Sequence, residues 1–354
     1  MSAVLDIKAG PKALARIRDE GLPQSSIEVM PGASGGPKWF VLTGLDKALI
    51  GEYFKDRQQP LHLLGTSAGS WRFVCYAHNN PLAALECFEQ GYLHTEYSAN
   101  PTPAEITAKS RRLIKEIIGD AGRDITSNEV MSLNLIAVRS KGLGKSNGKI
   151  PLMTGLGMAA LANMVSRKAL GLFFTRILFH ASGQSAPFLS MNDLPTERVP
   201  LSEDNLADAI LASGSIPMVM EGVRNIAGAP EGVYRDGGVT DYHFDAHFAK
   251  SDKLVLYPHF YGHMIPGWFD KGLKWRKPSV ENCDNVVLIS PSDDFVAKLP
   301  YGKIPDRKDF ETLSYEERVK YWKVVIQESD RLGDSFLEQV NSDKIRQNVQ
   351  PLLL

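Results

Sequence analysis

Apolar residues in this chain fall into short runs that end on glycine-rich turns and give way to stretches of helical spacing. The first run, Ile27-Glu28-Val29-Met30, leads into a turn over residues 32–36, and Pro37 follows it. Proline suits the first turn of a helix, and Val41, Leu42, Leu45, Ala48 and Leu49 then recur on one helix face. The rhythm repeats at once. Residues 61–64 predict a second strand, Gly65-Thr66-Ser67-Ala68-Gly69 a tight turn, and the residues to about His78 a helix. Strand, glycine turn and helix, twice in succession, predict an α/β protein with a mainly parallel sheet.

Further strands are predicted at residues 131–138, 233–235, 253–257 and 285–289, and a helix over 206–212 that stops at Ser213-Gly214-Ser215-Ile216-Pro217. Near the end, Ser314 and Glu317 have capping-box spacing, and Val319, Trp322, Ile326, Leu337 and Val340 line one broad face behind them. A long amphipathic helix is therefore expected to close the chain. Residues 150–180 are unusually apolar, with Leu152, Met153, Leu156, Leu161, Leu170, Phe173, Phe174 and Phe179 among them. Composition predicts buried helices there; an acyl-chain pocket or an interfacial cap is the alternative. The preceding loop carries Arg139, Lys141, Lys145 and Lys149, a solvated turn or a rest for anionic headgroups. No repeat or low-complexity segment stands out.

Bulk composition narrows the class. The 354 residues are 43% hydrophobic and 23% charged, with 40 Lys plus Arg against 41 Asp plus Glu. These are the proportions of a soluble globular protein, and the even charge balance gives no footprint for nucleic acid. Cys75, Cys87 and Cys283 lack metal spacing and fit a reducing compartment, so a cytoplasmic location is expected. The first eight residues lack the basic and apolar regions of a secretory signal. Residues 150–165 are too short and too interrupted by Thr154 and Asn163 to predict a membrane span.

The candidate chemistry lies in the turns. Gly65-Thr66-Ser67-Ala68-Gly69 is a Gly-x-Ser-x-Gly sequence between a predicted strand and a predicted helix. That context makes Ser67 a candidate nucleophile, with the helix start offering amides to an oxyanion. The upstream loop, Gly32-Ala33-Ser34-Gly35-Gly36-Pro37-Lys38, departs from the Walker phosphate-binding pattern because Pro37 replaces the last glycine and Trp39 the Ser or Thr. Gly144-Lys145-Ser146 departs from it too, with Arg139 in place of the leading glycine. What remains upstream is a set of amides at a helix start, suited to an anion or an oxyanion. A serine hydroxyl needs a base, and Asp236-Gly237-Gly238 presents a carboxylate at the end of a short predicted strand. His243 and His247, like His259 and His263, are four apart, beside Asp241 and Asp245. Phe260, Tyr261 and Gly262 make poor helix material, so scattered polar and core histidines are expected in place of a metal site. One of the four remains open as the base of a Ser-His-Asp triad.

Three blocks in order, Gly35-Gly36-Pro37-Lys38, Gly65-Thr66-Ser67-Ala68-Gly69 and Asp236-Gly237-Gly238, resemble the patatin-like phospholipase family. A fourth, Ala212-Ser213-Gly214-Ser215-Ile216-Pro217, is similar to that family's small-residue and proline signature. The resemblance implies a three-layer α/β/α patatin-like fold with a mainly parallel central sheet and a C-terminal helical extension. It implies hydrolysis of lipid esters, phospholipid or lysophospholipid, by a Ser67–Asp236 dyad, with no metal and no cofactor. By position it makes Gly35 and Gly36 oxyanion-hole donors and Lys38 an anion-positioning residue. Ser34 and Trp39 stand where that family usually has glycine, which leaves open which amides form the hole; Pro37 has none to give. One domain over residues 1–354 is expected, its motif-bearing core at about 27–260 and an extension at about 261–354. The expected partners are a lipid ester and, peripherally, a membrane. An ordinary Ser-His-Asp α/β-hydrolase esterase and a non-catalytic lipid-binding module are the alternatives.

Overall fold

A computed structural model describes residues 4–248 and 252–354; the amino-terminal reading begins on residues 1–3, which lie outside them. Continuous apolar runs, buried on both faces, build the middle of one large sheet. Its strands are β1 (Leu5–Ala9), β2 (Ile27–Gly32), β3 (Leu61–Thr66), β4 (Met131–Ser140), β5 (Phe174–His180), β6 (Thr196–Pro200), β7 (Val223–Arg224), β8 (Val233–Asp236), β9 (Leu254–Pro258), β10 (Val286–Pro291) and β11 (Gln350–Pro351). They lie in the order β11-β1-β10-β9-β2-β3-β4-β5-β6, with β8 on β4 and β7 on β8. From β10 through β9, β2 and β3 to β4 every pairing is parallel. Helices flank this mostly parallel sheet, as expected.

Two expectations need correction. Residues 41–49 do not form one regular helix: a 3₁₀ segment (Gly36–Leu42), a short α-helix (Thr43–Ala48) and a wide turn (Leu49–Tyr53) follow one another. Residues 150–180 are not a set of buried helices. One helix, Lys149–Val165, leaves most of its large apolar side chains in solvent. The stretch then ends in β5, a strand paired with both β4 and β6. A strand flanked on both sides is apolar along its whole length, and periodicity alone cannot separate that from a buried helix.

The closing helix, Tyr315–Asn341, begins as expected: the Glu317 amide donates to Ser314 Oγ at 3.2 Å and the Ser314 amide to Glu317 Oε2 at 3.0 Å. It packs against Thr43–Ala48, where the Gly44 amide donates to Ser329 Oγ at 2.9 Å. Buried Trp322 lies against Phe40 and Phe310 and donates from Nε1 to Asp309. Residues after 261 therefore supply β10 and β11 to the sheet and an aromatic wall beside the site.

Behind the sheet, Arg72 makes a bidentate pair with Asp46, Nε to Oδ2 at 2.7 Å and Nη2 to Oδ1 at 2.5 Å, and Tyr76 donates to Oδ1 at 2.7 Å. Both charged side chains are buried. Removing one partner strands the other charge in the core, which typically costs about 3–5 kcal/mol. Asp46→Ala is expected to lower the unfolding free energy measured in urea by that amount; a change below ~1 kcal/mol would contradict this reading.

Candidate active site

β2 and β3 run side by side and in parallel, with Gly32 opposite Gly65. The glycine loop and the serine turn therefore leave the sheet together at strand C-termini, where α/β sheets place their sites. A side chain at Gly69 would put its Cβ 2.0 Å from the Gly32 carbonyl oxygen, and one at Gly65 would sit 2.5 Å from the Ser70 backbone. Those two close approaches explain the paired glycines. Between them Ser67 adopts φ 51° and ψ −124°, the strained corner from which the helix Ala68–Ala77 departs.

Asp236 arrives by another route. One edge of β4 pairs with β3 as far as Thr66 opposite Ile136, and then with β8 in the opposite direction from Asp236 opposite Ala137. The end of β8 thus abuts the end of β3, one residue short of Ser67. The Ser213–Ser215 segment locks the junction: the Ser67 amide donates to the Ser213 carbonyl at 3.1 Å and the Asp236 amide to the Ser215 carbonyl at 3.0 Å. Ser213 Oγ in turn donates to the Ile136 carbonyl at 2.7 Å. Beyond Asp236, the Asp241 carboxylate holds Arg176 of β5 at 2.7 and 2.8 Å, and its carbonyl accepts from Thr66 Oγ1 at 2.9 Å. The loop carrying the carboxylate is tied to the sheet at both ends.

Ser67 and Asp236 are each only 6% exposed, and the Ser67 side chain lies near enough to the Asp236 carboxylate to bear on its ionisation. Burial pushes this carboxyl up to about 6, and the nearby Ser67 hydroxyl and the Gly238 amide, which donates at 2.7 Å, restrain it there. A carboxylate so placed is still ionised at neutral pH yet basic enough to take a hydroxyl proton.

Ser67 stands where two cavities meet, sharing Gly36, Ile216, Arg307 and Glu311 between them. The larger, about 570 Å³, has an apolar wall of Trp71, Phe88, Tyr92, Val219, Met220, Phe310 and Leu313, with Glu96, Ser98, Ser110 and Arg318 on its polar side. The smaller, about 260 Å³, holds Asp236, Lys38, Lys271, Asp306 and Lys308 together with the Gly35–Gly36 backbone. Gly35 and Gly36 line this space together with Ser67, and their amides make no hydrogen bond within the described residues. Lys38 is ion-paired with Asp306. Burial alone would raise Asp306, but Lys38 and the Lys308 amide hold it below its ordinary value.

Sequence reasoning missed Lys271, Asp306 and Arg307. Lys271 lies on a short 3₁₀ segment, Trp268–Gly272, and Asp306 and Arg307 on a loop, and charged residues in such short segments carry no periodicity that would mark them as cavity-lining. The block Ser213–Ser215 stands out in the sequence, but its backbone bonds to Ser67 and Asp236 form only in the fold. The four histidines do not join Ser67 in either cavity. His243 and His259 are buried edge to face at 4.3 Å, and burial drives His243 well below its ordinary range and His259 down to about 3. His247 and His263 are exposed. Among the described residues no His, Cys, Asp and Glu cluster is arranged to hold a metal ion.

No curated protein matches the sequence. Residues 33–244, more than half of the chain, match the family described as Patatin-like phospholipase. That stretch contains the glycine loop, the Ser67 turn, the Ser213–Ser215 segment and Asp236, and the chain accordingly belongs to the patatin-like phospholipases, a family of lipid acyl hydrolases.

Proposed function

We propose that this protein, acting as a single domain, cleaves the carboxylic esters of phospholipids or lysophospholipids through an acyl-enzyme on Ser67. The observation that carries the reading is Ser67 on its strained turn beside a buried Asp236 carboxylate, where a cavity with an apolar wall and a charged cavity join. Asp236 takes the hydroxyl proton as Ser67 Oγ bonds to the ester carbonyl carbon. The negative charge moves to the carbonyl oxygen, where the free amides of Gly35 and Gly36 receive it. Collapse of this intermediate expels the alcohol portion, which leaves with the proton from Asp236. Water then gives a proton to Asp236 and attacks the acyl carbon, and the fatty acid departs as Ser67 regains its hydrogen. The larger cavity takes the acyl chain. In the smaller, Lys38, steadied by Asp306, positions the polar end together with Lys271 and Arg307.

A fluorophosphonate probe tests the nucleophile: it should label native protein and spare Ser67→Ala. Equal labelling of both would end the assignment, and no labelling of either would favour a non-catalytic lipid-binding module. A p-nitrophenyl ester series tests the apolar cavity. Each methylene buried there contributes about 0.8 kcal/mol, so kcat/KM should climb roughly fourfold per methylene until the cavity fills.

A further inference from the structure

The helix Lys149–Val165 is built inside out. Its buried positions are Leu152, Gly155, Ala159 and Asn163, mostly small or polar. Large apolar side chains at Ile150, Met153, Leu161, Met164 and Val165 occupy the opposite face, between 52 and 88% exposed, and Leu172 just beyond is 74% exposed. A surface helix of a globular protein does the reverse, and one that is apolar all round is ordinarily buried or in contact with lipid. Loose packing does not explain the orientation, because the inner face is pinned. Asn163 Nδ2 donates to buried Asp270 at 2.7 Å, and Arg276 Nη2 donates to the Asn163 carbonyl at 2.9 Å. With no helix long and apolar enough to cross a membrane among the described residues, this face is suited to lying on a bilayer.

Charge favours one kind of bilayer. Residues 131–192 contain no Asp or Glu, while exposed Lys145 and Lys149 precede the apolar stripe and exposed Lys168 follows it. Lysines at both ends of an apolar face can reach anionic headgroups as the stripe enters the interface. Position favours the same partner. Residues Leu156 and Ala159 of this helix pack with Val239 and Trp268, which line the smaller cavity at Ser67. The apolar face is therefore one packing layer from the catalytic cleft. We propose that this helix face docks the protein onto anionic phospholipid bilayers, lying in the interface with Lys145, Lys149 and Lys168 on the headgroups. The motive, a lipid substrate, rests on the function proposed above, but the test does not.

Flotation with vesicles reads binding without turnover. Native protein should float with vesicles of phosphatidylcholine containing phosphatidylglycerol, and much less with phosphatidylcholine alone. The triple variant Ile150→Gln, Leu161→Gln, Val165→Gln should lose at least ~10-fold in partitioning on both, since it removes three of the six large apolar side chains on that face. Each Lys→Gln change at 145, 149 or 168 should cost about fivefold on the anionic vesicles only. All these positions are exposed, so melting and turnover of a short soluble ester should match native protein. The proposal is overturned if native protein stays unbound on both vesicle types, or if the triple variant floats as native does. It is equally overturned if sedimentation velocity shows the triple variant breaking a native dimer that does not bind vesicles.

Discussion

Asp236→Asn is expected to slow turnover of a soluble ester by about 10²–10⁴-fold, the usual worth of a positioned general base, while making the protein more stable. The two effects share one cause. In the fold this carboxyl sits at about 6 because of burial, against ~3.9 for a free aspartate. Below about pH 4 it is neutral in both the folded and unfolded chain, and burial costs nothing. As pH rises from 4 through 6, the unfolded chain ionises first and the native state loses stability; above 6 the full penalty applies. A shift of roughly two units corresponds to about 3 kcal/mol. An asparagine keeps the shape and can still accept from the Gly238 amide, so unfolding free energies from urea titration should show the variant ahead by up to that amount at pH 8, with the gap closing by pH 4. In native protein the acid limb of kcat/KM should fall near pH 6. A histidine base would give a similar limb, so the mutation decides between them: full activity in Asp236→Asn, or a loss equal to Ser67→Ala on replacing one histidine with the fold intact, would make the enzyme a triad hydrolase.

Ser67→Ala is expected to remove on the order of 10⁴–10⁶-fold of kcat, and the double variant Ser67→Ala, Asp236→Asn no more than that. A nucleophile and its base act as a unit, so their losses do not add. Whatever activity survives reflects the Gly35–Gly36 amides and the cavities, which neither change touches. If the double variant were slower than Ser67→Ala by the whole Asp236→Asn factor, Asp236 would be serving something other than Ser67. Losing the hydroxyl also removes a neighbour that restrains the Asp236 carboxyl. Its titration, followed by NMR, should move above 6 in Ser67→Ala.

Local physics made part of this molecule legible in advance. A strand entering Gly-x-Ser-x-Gly and leaving as a helix is specified within a dozen neighbouring residues, so the strained turn at Ser67 could be read from order alone. The same holds for the buried parallel strands and for the Ser314–Glu317 cap of the closing helix. Other features depend on which surfaces meet. Asp236 reaches Ser67 because β8 continues along the edge of β4 that β3 vacates, a register no local pattern encodes. Lys271 enters the smaller cavity from a short 3₁₀ segment and Asp306 and Arg307 from a loop, where only chain packing sets their direction. Whether His243 was a free base or a buried neutral ring turned on desolvation, a property of the finished core. The sharpest case is Lys149–Val165. Its composition was read correctly as apolar, but when every face of a helix is apolar, periodicity cannot say which one turns inward. Small residues at Gly155 and Ala159 let that side approach the body of the protein closely, and this packing is what leaves the larger side chains facing out.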